Sequence, residues 1–71
     1  MKTKWIMDSG MENLINTDFV ERIYLDVRGE EHQYRYRIIA EGENLDYVLE
    51  YFEDEEEART FLENLYKDFC L

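Results

Sequence analysis

Residues 22–40 read RIYLDVRGEEHQYRYRIIA, and their period decides the fold. In Arg22–Arg28, the apolar Ile23, Leu25 and Val27 alternate with Arg22, Tyr24, Asp26 and Arg28. Successive side chains of a strand leave opposite faces, so this alternation predicts an antiparallel strand with one face buried. Gly29–His32 supplies the turn. Gln33–Ala40 alternates again, with Tyr34, Tyr36, Ile38 and Ala40 set against Gln33, Arg35, Arg37 and Ile39. The pair predicts a hairpin whose second face gathers Arg22, Tyr24, Arg28, Arg35 and Arg37.

Downstream, Glu41–Asn44 turns the chain into a fifth strand, Leu45–Phe52. Its alternation is interrupted, because Tyr47, Val48 and Leu49 are consecutive. A β-bulge, or burial on both faces, would explain the run. The chain then changes period. Asp54 is suited to an N-cap and Glu57, three residues on, completes a capping-box pattern. Glu55, Glu56 and Glu57 fall in the first turn, where the helix dipole favours acid. Ala58, Phe61, Leu62, Leu65 and Phe69 form one apolar stripe at helical spacing, which predicts a helix over about 55–69.

Upstream, Lys4–Asp8 and Asn13–Asn16 are short strands joined at Ser9-Gly10. Asn16-Thr17-Asp18 is turn chemistry. Trp5 and Ile6 are expected in the core, and Phe19 and Val20 are expected to plug one end of it. The 71-residue chain is thus expected to be a single α+β domain, 1–71. Its five strands (about 4–8, 13–16, 22–28, 33–40 and 45–52) form an antiparallel meander, with one C-terminal amphipathic helix packed on one face. So short a chain buries only about 60% of the surface its unfolded form exposes. The 45% hydrophobic and 15% aromatic content suffices for one core and argues against a disordered acidic tail.

The order Trp5-Ile6, Gly10, Leu14-Ile15-Asn16-Thr17-Asp18, Val20, Ile23, Tyr36, Ile38, Val48-Leu49, then Phe52 with Glu55-Glu56-Glu57-Ala58, resembles small uncharacterised proteins of bacteriophages and prophages of Gram-positive bacteria. The similarity covers nearly the whole chain, and its motifs are core positions, a turn and a cap. The resemblance implies a β-meander-plus-helix domain and a phage origin. It brings no catalytic residue.

Charge is unevenly distributed. The formal net charge is -10, and residues 38–71 hold eleven acids and two bases. Glu41 to Glu57 contains nine carboxylates and no Lys or Arg. Part of this has structural causes, since Asp54–Glu57 serves the helix start and Glu41, Glu43 and Asp46 suit a turn. Glu50 and Glu53 beside Tyr47 and Tyr51 have no such cause.

Several chemistries are disfavoured. His32 is the only histidine and Ser9 the only serine, on separate predicted turns, so no nucleophile–base pair is evident. The acid run 53–57 lacks EF-hand spacing and a turning glycine, so no metal site or cofactor is expected. Cys70 is the only cysteine, which rules out an intramolecular disulfide; it reads as a free thiol of the bacterial cytoplasm, with an intermolecular bridge as the other reading. After Lys2 and Lys4 only three apolar residues precede Asp8, short of the ~7–15 of a signal peptide. No run approaches the ~20 apolar residues of a membrane span. The net acidity opposes direct nucleic-acid binding.

Three non-enzymatic readings are left. In the leading one, Glu43, Asp46, Tyr47, Glu50, Tyr51 and Glu53 present an acidic, aromatic surface to a basic site on a host nucleic-acid-handling or defence protein, and inhibit it. In the second, Arg22, Tyr24, Arg28, Arg35 and Arg37 bind a nucleotide-like anion. Against this stands the expectation that the arginines pair with acids such as Asp26 and cover tyrosine rings. In the third, the basic face and acidic edge of separate copies dock, giving a homodimer or larger homo-oligomer.

Overall fold

A computed structural model describes residues 5–70, the side chains of Phe69 and Cys70 excepted. Lys4 and Phe69, placed above in the first strand and the helix stripe, and the thiol of Cys70 therefore lie outside what is described. The elements run β1 (Trp5–Met7), β2 (Leu14–Asn16), a 3₁₀ turn (Thr17–Phe19), β3 (Val20–Val27), β4 (Tyr36–Gly42), β5 (Asp46–Phe52) and α1 (Glu55–Cys70). The fold is α+β with antiparallel sheets and one C-terminal helix.

The five strands do not form one sheet. β1 and β2 make a two-stranded hairpin, and β3-β4-β5 make a separate three-stranded meander. The break falls at Thr17–Phe19. There the Asn16 side chain accepts the Asp18 N–H at 2.9 Å, which favours a tight turn over continued pairing. The hairpin packs Ile6 and Ile15 against the core and leaves Trp5, Met7 and Leu14 outward. The Ser9 N–H donates to the Val48 carbonyl at 2.8 Å, so the hairpin's turn is tied to β5.

The core lies between the meander, the hairpin and the helix. Ile15, Ile38, Ala40, Leu49 and Ala58 are buried, with Ile23, Leu25, Tyr36, Phe52, Phe61, Leu62 and Leu65 packed around them. Ala58 is a small residue at the point where α1 meets the sheet, which permits close approach. Phe61 meets Phe52 with ring centroids 5.5 Å apart, a tilted geometry that aromatic quadrupoles favour. At the helix start, the Asp54 carboxylate accepts the Glu56 N–H at 3.1 Å. Only this half of the expected capping box forms: Glu57 returns no hydrogen bond among the described residues.

Two irregularities set which residues face the core. Opposite β4, β3 carries an extra residue between Val20 and Arg22, and β5 carries one opposite Ile38/Ile39. The second is the bulge expected from Tyr47-Val48-Leu49. It lets Tyr47, Leu49 and Phe52 all face the core although their spacing is not even.

Some expectations fail. Trp5 is half exposed and Phe19 is the more exposed of the pair expected to plug the core, while Val20 does pack there. A two-stranded hairpin has two faces and one neighbour, so its outward side chains stay in water. Gln33–Arg35 also lies outside β4. The Arg28 guanidinium donates to the Tyr34 carbonyl at 2.6 Å and Arg35 Nε to the Arg28 carbonyl at 3.1 Å. The Arg28 N–H still donates to the Arg35 carbonyl at 2.7 Å, but the Arg28 carbonyl takes the Arg35 side chain, and regular pairing goes no further. β4 instead extends to Gly42, whose N–H donates to Leu45 O at 2.9 Å and closes the next turn. A Cβ at Gly42 would lie 3.0 Å from that same oxygen, so any larger residue there would crowd the turn.

Candidate functional site

The face of the meander away from the helix is built in rows across three strands. Arg22, Glu41 and Asp46 form one row, Tyr24, Ile39 and Val48 the next, and Asp26, Arg37 and Tyr51 the third. The outer rows are polar and the middle one apolar, with Ile39 buried. Tyr24 sits under the Arg22 guanidinium, 4.3 Å from ring centroid to Cζ.

The arginines on this side are engaged. Arg22 forks onto Glu41, Nε to Oε1 at 3.0 Å and Nη2 to Oε2 at 3.1 Å, and Glu41 raises the already high pKa of the guanidinium. Arg37 places both Nε and Nη2 on Asp26 Oδ2, at 3.0 and 2.5 Å, and both side chains are about 70% buried. Arg28 and Arg35 hold the β3–β4 loop by the carbonyl contacts described above. Arg28 also lies 5.6 Å from the Tyr51 ring, which in turn meets Tyr34 at 6.2 Å. The Arg28 Nε is buried and has no hydrogen-bond partner. Arg35 stacks 5.7 Å from Tyr36. The five residues of the anion-binding reading thus divide into the Arg22–Tyr24 end, the Arg37–Asp26 pair and the loop pair Arg28 and Arg35.

The six residues of the acidic, aromatic reading fall at the two ends of β5, a strand about 20 Å long at ~3.3 Å per residue. At one end Glu43 and Tyr47 line a groove, with Asp46 adjacent. At the other, Tyr51 joins Tyr34 and Arg28, and the Glu53 carboxylate accepts Gln33 Nε2 at 3.0 Å. Glu50 is exposed and bonds only its neighbour's N–H, that of Tyr51. Tyr47 and Tyr51 lie on opposite faces of the sheet. Within 41–57, Glu41 and Glu55 meet a guanidinium, from Arg22 and Arg59. Glu43, Glu50, Glu53, Asp54, Glu56 and Glu57 have no cationic partner among the described residues, and Asp46 makes no ion pair of its own but acts on Arg22 across the row.

The groove beside Glu43 has a volume of about 350 Å³. Its walls come from the hairpin, the 3₁₀ turn and the β4–β5 turn, and include Trp5, Leu14, Phe19, Leu45 and Tyr47. None of these except Tyr47 belongs to the sequence-predicted sites. The signal was present in the hairpin alternation: with Ile6 and Ile15 inward, Trp5 and Leu14 must point away. A larger groove of about 500 Å³ runs between β3 and α1, lined by Thr17, Val20, Ile23, Leu62, Leu65 and Tyr66, with Arg22 at its rim.

Asp8 is a further residue that the strand pattern hides. Its carboxylate accepts Glu12 N–H at 3.1 Å, Asn13 N–H at 3.3 Å and Asn13 Nδ2 at 2.6 Å, so one side chain closes the β1–β2 loop. The Asn13 side-chain amide, aided by backbone N–H groups, holds the carboxyl below its ordinary pKa. The loop's left-handed residue is Met11, with φ 57°, and not Gly10.

Among the described residues no group of three or more His, Cys, Asp or Glu is placed to hold a metal ion. No helix among the described residues is long and apolar enough to cross a membrane. Comparison with family models, curated proteins and solved structures returned no match.

Proposed function

We propose that this chain is a small non-enzymatic interaction protein of phage origin. It presents an acidic, aromatic surface to the basic site of a host nucleic-acid-handling or defence protein and so inhibits it. The supporting observation is the imbalance of pairing along Glu41–Glu57. Seven of those carboxylates form no ion pair among the described residues, while Arg22 and Arg37 are already committed to Glu41 and Asp26. Unpaired surface charge of one sign steers encounter with a surface of the opposite sign. The same pairing weighs against the anion-binding reading, because a phosphate would have to displace carboxylates already in place.

The test begins with immobilised wild-type chain and a bacterial lysate, followed by identification of the retained protein by mass spectrometry. Affinity for that protein is then measured for wild type and for the triple variant Glu43→Lys, Glu50→Lys, Glu53→Lys. Binding should weaken steeply with salt, fall at least a hundredfold in the variant, and compete with DNA or RNA on the partner. Equal affinity of the variant at low salt would refute the reading.

A further inference from the structure

We infer that the groove between the β1–β2 hairpin and the β4–β5 turn is a docking site for a cationic peptide segment of a partner protein, one that inserts a large apolar side chain flanked by Lys or Arg. The inference rests on the acidic-surface reading and assigns it a place and an anchor.

Four large apolar side chains stand open at this one groove: Trp5 is 51% exposed, Leu14 61%, Leu45 63% and Phe19 71%. Single exposed apolar residues are ordinary, but several around one concavity mark an interaction site. Trp is also among the residue types that dominate interface energetics. The charge at the site selects the occupant. Glu43 is the only charged residue among the described ones lining the groove, and Asp46 adjoins it. Glu43 has no cationic partner among the described residues, and Asp46, though it acts on Arg22 at a distance, forms no ion pair. An apolar floor with a negative rim favours an apolar side chain carried between cations. A second copy, itself of formal charge -10, would bring acid against acid. Nucleic acid is repelled for the same reason. The groove is also held in place before binding: its hairpin wall is fixed by Ser9 N–H to Val48 O, and its opposite wall by Gly42 N–H to Leu45 O. Preorganisation of this kind lowers the ordering cost of association.

The test uses three labelled peptides: a Lys/Arg-rich nonamer with Leu and Phe at its centre, the same nonamer with both replaced by Ser, and a neutral peptide with the Leu and Phe retained. Binding is followed by fluorescence anisotropy, and by amide and Trp5 indole shifts in NMR of the full chain. The first peptide should bind at least tenfold more tightly than either control and move Trp5, Leu45 and Phe19 signals. Phe19→Ser and Leu45→Ser, both at exposed positions, should each cost about tenfold or more while leaving the far-UV spectrum unchanged. If the two cationic peptides bind equally and neither variant matters, the groove inference is overturned and the acidic-surface reading stands. If no cationic peptide binds at low salt, both are overturned. Concentration-dependent self-association that Leu45→Ser abolishes would make a second copy the occupant and overturn the cationic partner.

Discussion

The Asp26–Arg37 pair decides whether the sheet face is closed on itself or open to an anion, and its removal has a calculable cost. The two residues are directly opposite in the β3–β4 register, and two guanidinium nitrogens share one carboxylate oxygen. Opposite charges across a ladder contribute roughly 0.2–1 kcal/mol. Hydrogen bonds to charged groups contribute about 1.5–3 kcal/mol, and this pair is about 70% shielded from water. A coupling of about 1–2 kcal/mol follows, below the sum because both groups keep some solvent. Asp26→Ala alone should cost slightly more, since it leaves two N–H groups of Arg37 without an acceptor. For a chain of this length the entropy of unfolding is about 150 cal/mol/K, so 1.5 kcal/mol lowers Tm by about 10 °C. The assay is a double-mutant cycle of Asp26→Ala, Arg37→Ala and both, by urea unfolding at low and high salt. Added phosphate should leave the wild-type Tm unchanged. A coupling below about 0.3 kcal/mol, or stabilisation by millimolar phosphate, would refute the claim that this guanidinium is already spent.

Three further outcomes are expected. Ile38→Ala, at a fully buried position opposite Leu25, should cost about 2–5 kcal/mol, a large share of the ~4–10 kcal/mol available to a domain of this size, and urea unfolding would measure it. Met11→Gly should stabilise by up to about 1 kcal/mol by relieving a left-handed side-chain-bearing residue, whereas Gly42→Ala should destabilise by about 1–3 kcal/mol because its Cβ meets Leu45 O; thermal melts of the two variants should therefore move in opposite directions. The Asp8 carboxyl is held below its unfolded value, so its contribution is complete above that value and is lost as pH falls through the folded one. Wild type and Asp8→Asn should accordingly differ in Tm at neutral pH and converge in acid.

Periodicity carried most of the fold and less of the site. The alternation of Ile23, Leu25 and Val27 against Tyr24 and Asp26 was enough to place β3, because a half-buried strand leaves a direct imprint. Ala58, Phe61, Leu62 and Leu65 did the same for the helix. The division into two sheets left no such imprint: Ile15 packs inward whether its strand pairs with β3 or crosses over it. Trp5 and Phe19 depart from expectation because hydropathy predicts burial on average, whereas the exposure of Trp5 depends on which side of a two-stranded hairpin finds a neighbour and that of Phe19 on the turn that follows the hairpin. The arginine pairings follow from cross-strand register, which strand assignment alone does not fix. Asp8 leaves no mark in the hydropathy pattern because its role is local geometry, three donors converging on one carboxylate.

The irregularity in β5 has a consequence for how this segment can change. Up to Leu49, odd-numbered side chains enter the core; beyond Glu50, the even-numbered Phe52 does so and Tyr51 takes the other face. The strand is in effect two half-strands spliced out of phase. Pairing the strand at its present length without the bulge would drive Tyr51 inward and carry Phe52 away from Phe61, whereas deleting the extra residue would leave Tyr51 opposite Arg37 and Phe52 opposite Tyr36. The bulge therefore sets which face Phe52 takes, and a one-residue deletion at the splice should be tolerated better than one elsewhere in β5, where it would put the following side chains on the wrong face.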